Sequence, residues 1–480
     1  MNFVLDIPIN INKFLEKTSA KLAYPLRKKV YNIKKVITDT RKYDGKNGIF
    51  FALKGKNFDG HKFVKNIIKN IDFVVISDTN YLIPKYKNKF IIVEDTTKAL
   101  DGLANLYRNS FPNLKVISVV GSNGKTTTKE LIKHILSQKY KTLATVGNFN
   151  NLIGVAYTLL SLNRKIEFCV VEMGISLPGE MDILASTVNP DVVVFTNIGK
   201  EHLEFLDSLE KVFYEETRVL DYINPQKSML IINRDDSYLK QINGKFNKKL
   251  YSLLDSNVDV YVEEVMFTEE YSKITLILKD RLAAKLKISL KTSLLGRHNV
   301  YNILASITTT FFNGIEELDL IIKAIEEFSA VSMRGEKFVV NSNIIIDESY
   351  NANPDSMKNA ITTFFDIFKN RKKILILADM LELGKYSEQE HRRLLEVINL
   401  NEVEKIFLLG KEIEVLYEEI KKINKNKVKF YKEDKEKLLK DIEKIIKENN
   451  DYVLLFKSSH YVGLYEIVQR IKNFCLTETK

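Results

Sequence analysis

The residues with the most chemistry in them are Gly121-Ser122-Asn123-Gly124-Lys125-Thr126-Thr127, set between an apolar run and an amphipathic one. These types suit a phosphate. Glycine lets the backbone approach an anion closely, the N–H groups of such a bend and of a following helix N-terminus face the charge, and an ammonium and a hydroxyl come next. Lys125 is expected to reach the β- and γ-phosphates of ATP and Thr126 to hold Mg²⁺, with Gly121, Ser122, Asn123, Gly124 and Thr127 completing the cradle. The loop is a shortened form, because the position six before Lys125 is Val119 rather than glycine. An ordinary glycine-containing turn is the competing reading.

The flanks decide how such residues are positioned. Val116 to Val120 reads as a buried strand, and Leu131, Ile132, Ile135 and Leu136 recur at helical spacing. Two more apolar runs end in polar groups, FCVVEMG in Glu172 and PDVVVFTNIGKEHLE in Thr196, Asn197, His202 and Glu204. In a parallel sheet the carboxyl ends of the strands line the ligand crevice, so a carboxylate and an imidazole are expected beside the phosphate loop. Glu172 is a candidate Mg²⁺ ligand, direct or through water. A lone histidine such as His202 is as readily a hydrogen-bonded structural group. Asn148, Asn150 and Asn151 precede a further helical pattern, and Asn299 and Asn302 share a helix face at i and i+3, where capping is the alternative role.

At 480 residues with 45% apolar content, the chain has room for three domains with cores of their own. The boundaries are placed at 1–112, 113–330 and 331–480. The first segment alternates short apolar runs with helical patterns at His61 to Asn70 and Thr97 to Ser110. Its polar clusters, Asp39-Thr40-Arg41 and Gly55-Lys56-Asn57-Phe58-Asp59-Gly60-His61, read as turns on spacing alone. Residues from about 225 to 295 suggest an antiparallel extension of the central sheet. From Val331 onward, apolar runs at Ile344 to Ile346, Ile374 to Ala378, Ile406 to Leu409 and Val453 to Phe456 alternate with amphipathic stretches, the pattern of a doubly wound parallel domain. The charged stretch from Lys432 to Asn450 reads as an exposed helix face. The fold class is therefore α/β: a small α/β domain, a central ATPase domain with a mostly parallel sheet, and a Rossmann-like third domain.

The formal charge of +11 comes from lysines spread over the whole chain, without an arginine-rich tract, so a solvated surface suited to anionic small substrates is expected and no nucleic-acid partner. Cys169 and Cys475 are the two cysteines, so no disulfide framework is implied. No apolar run approaches 18 residues and the N-terminus lacks a leader pattern, so a cytoplasmic location without membrane insertion is expected.

GSNGKTTTKE, TVGNFNNLIGVAYTLL, VEMGISLPGEMDIL, TNIGKEHLEFLDS, GRHNVYNILA, DESYNANPDSM and ADMLELGKYSEQEH together resemble the Mur ligase family, the ATP-dependent amide-bond-forming enzymes of peptidoglycan synthesis, over nearly the whole chain. DESYNANPDSM discriminates most, and is similar to the branch that adds D-alanyl-D-alanine to UDP-N-acetylmuramoyl-tripeptide (UDP-MurNAc-tripeptide). That resemblance implies ATP and Mg²⁺ and a first domain for the UDP-sugar; a monomer is expected. The resemblance adds His202 as a ligand of a second metal and places Asn299 and Asn302 near the adenine. By the same likeness Arg334 and Asp347 contact nucleotide, and Asn351, Asn353, Lys457 and Ser459 lie toward the dipeptide. The clusters at Asp39, Thr40 and Arg41 and at Asn57, Asp59 and His61 are implied to meet the UDP-sugar, and Asn148 and Asn151 to meet substrate. A ligase with a single amino acid as acceptor and a nucleic-acid-stimulated ATPase are the alternatives.

Two departures from the family pattern stand out. Counting from His202-Leu203-Glu204, the position where relatives carry a carbamylated lysine falls on Glu216, whose carboxylate is expected to serve as the metal ligand directly; a surface role is the alternative. Lys457-Ser458-Ser459-His460 stands where the pattern is Lys-Gly-Ser-Arg, and His460 exchanges a permanent bidentate cation for a titrating one.

Overall fold

The computed structural model describes residues 1–25, 31–55, 57–448 and 451–478, so Lys56 of the first-segment cluster and the side chain of Cys475 lie outside the described residues. Three sheets follow one another along the chain. The first orders its strands as Asn2–Asn10, Asn32–Ile37, Ile49–Phe51, Phe73–Ile76, Phe90–Ile92 and Lys21–Leu22, parallel in its middle and antiparallel at both edges.

The central sheet has nine strands, in the order Thr142–Ala144, Phe168–Glu172, Lys115–Val120, Val192–Phe195, Met229–Asn233, Asn247–Ser252, Val260–Phe267, Ser272–Lys279 and Lys285–Thr292. Its inner strands are buried on both faces, which is why they read as unbroken Val/Ile runs instead of alternating ones. The chain places Phe168–Glu172 on one side of Lys115–Val120 and Val192–Phe195 on the other. A crevice opens where strand order switches in this way, and Gly121, Glu172 and Thr196 all follow or end strands there. Helix Lys125–Leu136 buries Leu131, Ile132, Ile135 and Leu136 in a core shared with Ile303, Leu304 and Ile307 of helix Arg297–Asn313. The latter helix is buried on nearly every side, as its apolar and threonine-rich sequence requires.

The expected antiparallel extension is corrected in part. Met229–Asn233, Asn247–Ser252 and Val260–Phe267 join in parallel, and only Ser272–Lys279 and Lys285–Thr292 run antiparallel. Residues 268–271 and 280–284 are short enough only for hairpins, whereas 234–246 carries the chain back to start a parallel strand, and across the shorter 253–259 the parallel pairing is confined to Tyr251–Ser252 against Val260–Tyr261.

The third sheet runs Glu336–Val340, Asn343–Glu348, Tyr452–Lys457, Lys372–Ala378, Val403–Leu409 and Val428–Phe430, parallel apart from its first, antiparallel edge. The charged stretch forms helix Lys435–Glu448, whose Leu438, Leu439, Ile442 and Ile446 are buried, so only its other face is exposed. The helix expected at His61 to Asn70 shortens to a 3-10 turn at Gly60–Phe63 and one α-turn at Val64–Ile67. Asp59 starts it by accepting from the His61 amide, and His61 is then tied sideways to Ser77.

Candidate active site

Strand Lys115–Val120 runs into Gly121, at φ +114°, and helix Lys125–Leu136 begins after Gly124, at φ +82°. Such a conformation costs an L side chain about 1–2 kcal/mol. At Gly124 a Cβ would also overlap the Asn302 side chain. The glycines therefore set both the bend and the close approach of helix Arg297–Asn313.

The loop amides do not all face an anion, contrary to expectation. The Gly121 N–H donates to Glu216 Oε2 (2.9 Å), the Ser122 N–H to the Asn197 carbonyl (2.8 Å) and the Asn123 N–H to Asn197 Oδ1 (3.0 Å). The two bonds to Asn197 pin the loop to the segment after Val192–Phe195, and the Asn197 side chain returns a bond to the Asn123 carbonyl (2.9 Å). The N–H groups left free to meet an anion are those of the first turn of the helix, which have no carbonyl one turn back, with the Lys125 ammonium close by.

Lys125 is surrounded by carboxylates. Its Nζ donates to the Gly121 and Ser122 carbonyls and lies 3.4 Å from Glu201 Oε2. Burial opposes its charge, but Glu201, Glu216 and Glu172 outweigh that and hold its pKa above the ordinary lysine value. The Thr126 hydroxyl donates to both oxygens of Glu172 (3.0 and 2.9 Å), and the Asn150 side chain donates to Glu172 as well (2.9 Å). Fully buried Lys129 approaches Glu172 at 3.9 Å and anchors the Thr145 and Gly147 carbonyls.

Glu216 is completely buried, which excludes the surface role. Its Oε2 takes the Gly121 amide and its Oε1 has no protein partner. Burial pushes the carboxyl up to about 7 against the pull of Lys125. Glu201, also buried, has an unpartnered Oε1 and lies 3.9 Å from His202 Nε2. For His202, burial disfavours charge but Glu382 and Glu201 prevail and raise its pKa. Among the described residues, no three of His, Cys, Asp and Glu converge tightly enough to hold a metal unaided. The Thr126 hydroxyl with the Glu172 carboxylate, and separately the orphaned Glu216 oxygen, nonetheless suit Mg²⁺, which takes one or two carboxylates and completes its shell with water and phosphate oxygens.

Lys125, Glu172, Glu201 and His202 open on a cavity of about 960 Å³. Ser122, Asn123, Gly124, Lys125, Thr127, Asn148, Asn151, Glu172, His202, Asn299, Asn302, Arg334, Asn351, Asn353 and Lys457 line it. Asn302 braces the loop by accepting from Thr128 (3.2 Å) and donating to Asn299 (3.1 Å). The Arg334 guanidinium stacks on Tyr350, 3.8 Å from the ring centre. Asn353 starts helix Pro354–Ile367 with a capping box while its Nδ2 donates to Asn123 Oδ1 (2.9 Å), and Lys457 sits between Glu348 (3.3 Å) and the Asn351 carbonyl (3.1 Å).

Other expected residues lie off the cavity wall. Gly121, Thr126 and Glu216 are buried and are not part of its lining. Asp347 is buried, accepts from the Ser349 amide and hydroxyl, and has its pKa raised by burial. Ser459 bonds the Ala352 carbonyl (3.1 Å) and accepts the Leu381 amide (2.9 Å). Asp39 caps the turn Thr40–Lys42 and pairs with exposed Arg41 at 2.9 Å. Asn57 is exposed, whereas His61 is buried with Asp59 on one ring nitrogen (2.7 Å) and the Ser77 amide on the other (3.0 Å). His460 stacks face to face on Tyr465.

Glu201, Lys129 and Asp355 escaped the sequence reading. The signal for Glu201 was its place beside His202 after an apolar run; nothing local marks the other two. Asp355 Oδ2 accepts the Lys200 amide (2.7 Å) and Glu390 pairs with the Lys200 ammonium (2.7 Å), so the third sheet's layer is docked on the loop after Val192–Phe195.

Known proteins match this chain over nearly its whole length. Residues 119–310 match the model of the Mur ligase middle domain and residues 333–459 that of the Mur ligase glutamate ligase domain. The chain is 34% identical over 438 residues to the UDP-N-acetylmuramoyl-tripeptide–D-alanyl-D-alanine ligase of Bacillus subtilis, covering 90% of this chain and 92% of that one. The crystal structure of MurF from Acinetobacter baumannii superposes with a TM-score of 0.84 at 27% identity, covering 98% and 99% of the two chains. MurF ligase from Thermotoga maritima in complex with ADP shares the fold, with a TM-score of 0.80 at 23% identity and coverage of 92% and 98%.

Proposed function

The chain belongs to the Mur ligase family, and on that premise we propose that it is the ADP-forming ligase that joins D-alanyl-D-alanine to UDP-MurNAc-tripeptide. The observation that supports the reading is the 2.9 Å bond from Asn353, in the discriminating segment, to Asn123 of the phosphate loop, since it brings that segment against the loop.

The tripeptide carboxylate attacks the γ-phosphorus of ATP, ADP leaves, and an acyl phosphate forms. The dipeptide amine then attacks the carbonyl carbon, loses a proton, and expels phosphate from a tetrahedral intermediate to leave the amide. Two anions must meet in the first step, and their repulsion is the barrier that fixed cations lower. Lys125 stays charged there because three carboxylates surround it. When bound, Mg²⁺ would supply further positive charge against that repulsion. Thr126 and Glu172 would hold it, with Glu216 and His202 at a second site, Glu216 supplying directly the carboxylate that relatives build on a lysine.

By this reading residues 1–112 carry the UDP-sugar, 113–330 the ATPase and 331–480 the closing domain, with Asn299, Asn302, Arg334 and Asp347 on the nucleotide side and Asn351, Asn353, Lys457 and Ser459 on the acceptor side. The protein works as a cytoplasmic monomer without nucleic acid; among the described residues no helix is long and apolar enough to cross a membrane. The test is a mass spectrum of the product from ATP, a defined UDP-MurNAc-tripeptide and D-alanyl-D-alanine. A mass increased by the dipeptide residue supports the reading; phosphate release only with a single amino acid overturns it.

A further inference from the structure

The third sheet contributes one carboxylate to the phosphate-loop side that the proposed chemistry has not used. Glu382 lies in the segment after strand Lys372–Ala378, and its Oε2 is 2.6 Å from His202 Nδ1. The contact crosses from one sheet's layer to another. It is held on both sides: the Glu204 N–H donates to the Glu382 carbonyl (3.0 Å), and the Leu381 amide is bound by Ser459 (2.9 Å). A short way along, Lys385 pairs with Asp207 (2.8 Å) and the Tyr386 hydroxyl bonds the Asp207 carbonyl (3.0 Å). Glu382 itself adopts φ +63°, a conformation that an L residue keeps only when its surroundings impose it.

The other nitrogen of His202 points elsewhere. Nε2 is 3.9 Å from Glu201, which in turn meets Lys125, and His202 and Glu201 both line the cavity. A carboxylate charge 2.6 Å from Nδ1 favours the tautomer with its proton there, restrains the ring, and leaves the Nε2 lone pair for a metal; removing such a partner generally weakens metal binding about 10- to 100-fold.

We propose that Glu382 is a positioning residue that orients His202 from across the domain boundary, so that docking of the third domain completes the second metal site. The proposal rests on the reading of His202 as a ligand of that site. Because coupling is reciprocal, metal at this site also favours the docked arrangement, and the Ser459 bond to Leu381 ties the Glu382 arm to the acceptor side.

The experiment titrates Mn²⁺ into the full-length protein with a non-hydrolysable ATP analogue, read by electron paramagnetic resonance, with spin-echo modulation reporting imidazole nitrogen on the metal. Glu382→Ala is expected to weaken the histidine-bound Mn²⁺ about tenfold or more and to reduce the nitrogen modulation, and Glu382→Gln, which keeps an acceptor oxygen, to recover part of both. His202→Ala separates the two claims. If it leaves affinity and modulation unchanged, the metal role of His202 fails. If His202→Ala abolishes the modulation while Glu382→Ala matches the wild type, the positioning role alone fails. Tighter Mn²⁺ binding in Glu382→Ala would overturn it too, since Glu382 would then be a competitor for the imidazole.

Discussion

Glu216→Gln separates the cost of a buried carboxyl from its use. In the metal-free protein Glu216 is fully buried, with one oxygen on the Gly121 amide and the other without a partner. Burial raises its pKa from 4.5 to about 7. Below pH 4.5 the group is protonated folded or unfolded and carries no penalty. Between 4.5 and 7 the unfolded chain ionises first, so the folded state binds more protons and stability falls as pH rises. Above 7 the penalty is complete, and the span from 4.5 to about 7, at about 1.36 kcal/mol per pH unit, is about 3 kcal/mol. Glutamine has the shape of the protonated acid and never ionises. In urea denaturation of metal-free protein, Glu216→Gln should therefore exceed the wild type by about 3 kcal/mol at pH 8 and by under about 1 kcal/mol at pH 5. Adding Mg²⁺ with ADP should favour the wild type instead, because only it offers a carboxylate. An equal difference at the two pH values, or a less stable variant at pH 8, would refute the reasoning.

Lys125→Ala should lower kcat by about 10²- to 10³-fold, the usual loss when one preorganised charge is taken from a transition state; near-wild-type turnover would remove the loop from the mechanism. Activity in buffers stripped of CO₂ should not respond to added bicarbonate, since Glu216 needs no carbamylation, and a strong response would mean that some other, carbamylated side chain supplies the ligand. Gly124→Ala should lose about 1–2 kcal/mol of stability from the left-handed backbone alone, with more from the overlap with Asn302, and should raise KM for ATP; unchanged melting and KM would show that the bend tolerates a side chain. Asn353→Ala should raise KM for the dipeptide more than for ATP, measured by phosphate release, if its bond to Asn123 serves the acceptor side.

Much of this protein was written locally. Val116 to Val120, the glycines at 121 and 124, and the apolar spacing after Lys125 dictate strand, bend and helix within some twenty residues, because each choice depends on near neighbours: burial of β-branched side chains, left-handed φ, helical periodicity. The runs ending in Glu172 and Thr196 were legible for the same reason, as was the alternation after Val331. Pairing direction between residues 225 and 295 was not, because it follows from how far a connection travels in space. Nor could sequence show that Glu216 is buried on the Gly121 amide, that Asn197 takes loop amides expected for phosphate, or that Asp355 and Glu382 arrive from another domain. Those depend on long-range packing, where the partner, its distance and its desolvation are set by surfaces far apart in the chain. Residue types determined which chemistry was available; the tertiary structure decided which charges meet, which stay in water and which lose it.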